Sequence, residues 1–193
     1  MPTVVVVSGR VALTAVGGVH VAAWLAMGVF LAAFLGEREP APGAAVRWAA
    51  GVLLAVLAAA GSAVVANLGA LWGAPVLPHV LTARVAPWLS LLVPAAAALF
   101  FGLLRRDRAS EGVRRETSVA LAASLLSLLM HVATAFRWLL WRPATPPAAP
   151  SPAMVALGLV AMLLVWAGLT WFLVALRRDL APAMTGGDRG RCV

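Results

Sequence analysis

The sequence predicts an all-α integral membrane protein, a bundle of five transmembrane helices with the N-terminus outside and the C-terminus in the cytoplasm. Three observations carry that prediction. The 193 residues are 63% hydrophobic and 11% charged, with a mean hydropathy of +0.96. A soluble domain carries about 25% charged residues, so this chain cannot cover a water-facing surface. Five apolar runs recur, each near the roughly 20 residues that a bilayer core requires. The arginines collect at the ends of those runs, mostly on one side. The expected spans are about 11–35, 48–72, 85–104, 117–140 and 152–176. They form a single transmembrane domain, 1–176, followed by a polar cytoplasmic tail, 177–193.

The first run is longer than the core of about 7–15 residues in a signal peptide, and no basic cluster precedes it, so a retained helix is expected. The turn "GEREPAPGAAVR" separates it from the second run. There Ser62, Ala66, Ala70 and Ala74 repeat every four residues, and Gly69 with Gly73 forms a GxxxG. Small residues at this spacing allow close helix approach in a membrane, although an alanine-rich chain produces such stripes readily. The punctuation "GAPVLPH" leads to the third run, where Pro87 and Pro94 predict a kink or cavity-lining backbone. The charge run "RRDRASEGVRRE" precedes the fourth, and the proline-rich "RPATPPAAPSP" precedes the fifth.

Arginine sets the orientation. All fifteen basic residues are arginine, a composition that suits a GC-rich, bacterial coding sequence and a cytoplasmic-membrane location. Eleven lie at one set of ends: Arg38, Arg47, Arg105, Arg106, Arg108, Arg114, Arg115, Arg177, Arg178, Arg189 and Arg191. Four lie at the other: Arg10, Arg84, Arg137 and Arg142. The positive-inside rule makes the richer set cytoplasmic, and five spans satisfy that asymmetry. The same clustering argues against a nucleic-acid partner despite a net charge of +8, since no basic face forms. The run at 105–116 is topogenic and attracts anionic headgroups.

Several chemistries are excluded. The one cysteine, Cys192, permits no intrachain disulfide, no cysteine pair for a metal and no cysteine-held iron–sulfur cluster. It is also misplaced for C-terminal prenylation. Every acidic residue falls in a loop or the tail, so no carboxylate pair, triad or intramembrane proton site is expected. No catalytic constellation is present. Asn67 is the other strongly polar group within a span, and a bond to a neighbouring helix is expected of it.

The three histidines concentrate the functional question. His79 falls in an outer loop, where water or headgroups satisfy it. His20 lies about three residues, roughly 4.5 Å, outward of the midpoint of the first span; His131 lies about two residues, roughly 3 Å, outward in the fourth. Ser124, Ser127, His131 and Thr134 are spaced 3, 4 and 3 and share one small, polar helix face. Gly17, His20, Trp24 and Met27 follow a similar rhythm. Two imidazoles at matched depth, beside small residues and a bulky wall, suit a flat macrocycle held by its iron.

These residues point to haem b. His20 and His131 ligate the metal, Trp24 and Met27 wall the ring, and Ser127 and Thr134 line it. Arg84 and Arg137, at the outward helix ends, meet the propionates; otherwise they snorkel to the interface. A copper ion is the alternative cofactor, since two histidines serve both metals. The expected function is that of a cytochrome b-like electron-transfer subunit in a larger redox complex. Its expected partners are the lipid bilayer, other membrane or peripheral redox subunits, and a quinone. The competing reading is a structural or assembly subunit whose histidines bond neighbouring helices. A transporter or channel ranks third.

Overall fold

Between residues 46 and 60, Val46, Ala49, Ala50, Leu53, Leu57 and Ala60 recur at three- and four-residue intervals, and all six are buried. That spacing is one helical face, and alanine within it lets a neighbouring backbone come close. The same logic builds five helices. The structure, a computed structural model, describes residues 2–36, 43–73, 79–107, 111–140 and 152–180. They form α1 (Pro2–Gly36), α2 (Ala44–Leu71), α3 (His79–Asp107), α4 (Glu111–Leu140) and α5 (Pro152–Leu180), with no strand among the described residues. Three segments, Gly17–Gly36, Ala44–Ala70 and Val113–Ala133, are long and apolar enough to cross a membrane among the described residues.

The helices outrun the apolar runs. α1 begins nine residues before the expected start at 11, and α3 begins at His79, which therefore opens a helix rather than lying in a loop. Much of the charge run at 105–116 is helical, as are residues 177–180 of the expected tail. Hydropathy marks the hydrocarbon, whereas a helix ends only where its backbone bonds do. Arg105 and Arg106 occupy the last turn of α3, and Arg177 and Arg178 that of α5. Cations there complement the helix dipole. The loops at 37–42 and 141–151 and the tail at 181–193, with Cys192, lie outside the described residues.

The helices form a ring. α1 packs between α2 and α5, α3 packs between α2 and α4, and α4 closes the ring on α5 through its loosest seam. Among the described residues, α1 and α4 make no close backbone approach, so they face each other across the ring.

Packing is uneven along the bundle axis. At the end carrying Arg105, Arg106, Arg177 and Arg178, the interior is solid. Leu31, Leu53, Phe100, Leu104 and Leu176 have no exposed surface there. Phe34 meets Phe100 edge-on at 5.6 Å, Phe100 meets Phe101 at 5.1 Å, and Phe101 meets Phe172 at 6.2 Å. Thr117, also fully buried, bonds back to the Val113 carbonyl at 2.6 Å, which satisfies its hydroxyl within its own helix. The Gly43 amide donates to Asp107 Oδ2 at 3.1 Å, placing a carboxylate over the N-terminus of α2. A Cβ at Gly43 would stand 2.9 Å from the other carboxylate oxygen, hence glycine.

At the opposite end, α1 and α2 are tied by side chains. Trp72 Nε1 donates to Thr14 Oγ1 at 2.9 Å, and that hydroxyl donates to the Arg10 carbonyl at 2.8 Å. The second glycine of the GxxxG is not in the helix. Gly73 lies beyond the helix with φ +81°, and its amide bonds the Ala70 carbonyl as a terminating turn. Ser62 is exposed and bonds back to Ala58. The close approach occurs instead at Gly17, where a Cβ would stand 2.9 Å from the Leu68 methyls.

Candidate functional site

Above the phenylalanine layer the ring is hollow. A cavity of about 730 Å³ occupies its centre and draws lining residues from all five helices. α1 contributes Gly17, His20, Ala23, Trp24 and Met27; α4 contributes Ser124, Ser127 and His131. The residues singled out in two separate spans therefore converge on one space. Phe101 and Phe172 form its floor, backed by Phe100. α3 supplies Pro94, which is buried and cannot donate to the Ser90 carbonyl, so the ladder is interrupted along the cavity wall.

Each histidine is oriented by its own helix. His131 Nδ1 lies 2.8 Å from the Ser127 carbonyl one turn earlier. A carbonyl only accepts, so in this bond Nδ1 carries the proton and Nε2 of the neutral ring keeps its lone pair. A metal-ligating imidazole needs this arrangement. On the same helix, the Ser124 hydroxyl donates to the Ala120 carbonyl at 2.7 Å. The His20 ring meets the Trp24 indole edge-on at 5.9 Å, and the indole one turn away limits its rotation. Both histidines are exposed, and both line the cavity. Met27 is buried at the cavity wall, and Trp24 is half-buried beside it.

The backbones of Arg84, Thr134 and Arg137 lie in α3 and α4, but their side chains, like that of His79, fall outside the described residues. Asn67 lines the cavity. The polar groups sit toward one end of an otherwise apolar chamber, with Leu53, Leu57, Leu89, Val93 and Leu169 among its walls.

The α2 and α3 walls carry few polar markers, and sequence reasoning missed them. Leu57 and Ala97 belong to runs of alanine and leucine in which every face looks alike. Phe101 and Phe172 had a weak signal, as aromatics one turn from the arginine-bearing helix ends. Among the described residues, no group of three or more histidine, cysteine or acidic side chains is placed to hold a metal ion. The arrangement sets two imidazoles, two serines and an amide around an otherwise apolar chamber. Compared with protein-family models, curated proteins and solved structures, the chain has no match, and the site is read from its own geometry.

Proposed function

We propose that the protein is a five-span, haem b-binding membrane subunit that passes electrons within a larger redox complex. One observation carries the reading: His20 and His131, from helices that make no close backbone approach among the described residues, line the same cavity. Its volume, about 730 Å³, falls within the range of about 300–1,000 Å³ typical of cofactor and ligand pockets. Trp24, Met27, Phe101 and Phe172 supply the apolar walls that a porphyrin needs and exclude water from it. Porphyrin fills four positions around iron, so two imidazoles complete the set. A bare copper ion bound there would need further donors, which favours haem over copper. Bound haem supplies one-electron exchange between ferric and ferrous iron. The chain's part is to ligate, orient and desolvate.

The hydrogen bond of His131 bears on the competing structural role. Its Nδ1 is engaged with a carbonyl of its own helix, so that nitrogen does not join two helices. In the proposed orientation, the end rich in Arg105, Arg106, Arg177 and Arg178 faces the cytoplasm, and the cavity lies toward the outside. Redox subunits or a quinone on that side are the natural electron partners.

Visible spectra of the purified protein, oxidised and dithionite-reduced, test the cofactor. A reduced α-band with a stoichiometric pyridine haemochrome is expected; a colourless protein from haem-replete cells refutes the reading. Reporter fusions test the orientation. A fusion after Arg191 is expected to report cytoplasm, and one within 143–150 the outside. Cytoplasmic signal from the 143–150 loop would reverse the assignment.

A further inference from the structure

The cavity wall is closed on one side and open on the other. Among the described residues, every lining residue on α2 and α3 is buried or half-buried. The exposed ones are His20, Val119, Ala123, His131 and Gly168, which belong to α1, α4 and α5. Val119 is 61% exposed although it stands in the cavity wall. Among the described residues, α5 contributes one turn to the lining, Gly168 to Phe172, and meets α4 through the loosest seam of the ring. A Cβ built on Gly168 would find nothing within 4 Å. These observations describe a gap between α4 and α5 framed by Val119, Ala123 and Gly168.

The chemistry of that frame selects what passes. None of the three side chains carries a polar atom, so hydrocarbon wets the gap more favourably than water does. The way along the bundle axis from the arginine-rich end is blocked by Phe34, Phe100 and Phe101. From Ala123, Ser127 and His131 follow at successive turns of α4, leading from the apolar frame to the imidazole. A planar macrocycle entering with an apolar edge foremost would therefore be guided toward His131.

We infer that haem reaches the cavity sideways, from the hydrocarbon of the bilayer, through the α4–α5 window at Val119, Ala123 and Gly168. This inference rests on the haem reading above. Uptake and loss cross the same barrier, so narrowing the window slows both, as microscopic reversibility requires.

The test uses the full-length apoprotein in liposomes, with haemin supplied from donor vesicles and loss followed to an apoglobin acceptor. Gly168→Phe has open space to fill and places a ring in the gap; Ala123→Phe does the same from the α4 side. Each is expected to slow both uptake and loss at least tenfold, with Gly168→Ala close to the parent. Unchanged rates, or a change in only one direction, would overturn the window. If the parent protein takes up no haem, the window is tested separately by fluorescence of Trp24, the other seven tryptophans being replaced by phenylalanine. Brominated acyl chains are expected to quench Trp24, and Gly168→Phe to relieve the quenching. Absent quenching, or quenching that Gly168→Phe leaves in place, overturns the window whatever the cofactor is.

Discussion

His131→Ala is expected to abolish the reduced α-band while the chain still inserts in the membrane. His131 is exposed to the cavity and makes its one described hydrogen bond to the Ser127 carbonyl of its own helix. Removing the ring therefore leaves no cross-helix contact of that bond broken, and the carbonyl remains in its helical ladder. The structural cost is small, about 0.6 kcal/mol even where a membrane hydrogen bond is lost. The loss of ligation is much larger, because a haem held on one side only becomes high-spin or dissociates. His20→Ala is expected to give the same spectral result. His131→Met offers a discriminating middle case: a thioether keeps six-coordination and raises the potential, as methionine–histidine ligation does. Leu129→Ala, two residues away and 64% exposed, is the control and is expected to leave the spectrum intact. A normal α-band in both histidine variants would remove the bis-histidine assignment.

The second large effect is expected at the cavity floor. Phe100 is fully buried and packs edge-on against Phe34 and Phe101. In water-soluble proteins Phe→Ala costs about 3–5 kcal/mol, part of it from transfer of the ring out of water. Inside a bilayer that transfer part is largely missing, because the unpacked helix is still solvated by hydrocarbon. The cavity part remains: a void of about 100 Å³ at about 24 cal/mol per Å³ gives about 2.4 kcal/mol. Phe100→Ala is thus expected to lose about 2–3 kcal/mol in reversible unfolding in bicelles, against near zero for Leu129→Ala. A loss below about 1 kcal/mol would mean that the floor collapses to fill the space.

The two histidines and their neighbours were legible in the sequence because polar residues are conspicuous against hydrocarbon. Depth along each span can be counted from the helical rise, and the faces of α1 and α4 can be read from spacing. Hence His20, Trp24, Met27, Ser127 and His131 were nameable, and the structure gathers all five on one cavity. The α2 and α3 walls were not legible, since alanine and leucine surround those helices on every side. Spacing alone did not mark where α2 ends: Gly73, the second glycine of the GxxxG, follows the last turn and terminates it. The helices run past the apolar spans wherever charged residues continue the hydrogen-bond ladder, as at Arg105 to Asp107. The ring order of the helices has no local signature; it depends on which faces fit together over all five.

Burial is shared unequally among the spans, and this bears on how the protein moves. Within their most apolar windows, 28% of the α2 window is buried inside the bundle, against 6% for α4. α2 is held by α1 and α3 through extensive faces, whereas the half of α4 away from the arginine-rich end has the open chamber on one side and exposed leucines on the other. Local opening draws on such thinly held elements first. The bundle thus has a stiff back, α2 with α3, and a compliant front where α4 meets α5. A ligand gripped between His20 and His131 would act as a strut across that compliant side. It would couple two parts that otherwise loosen separately, so that filling the cavity makes the five helices come apart as one unit instead of in stages.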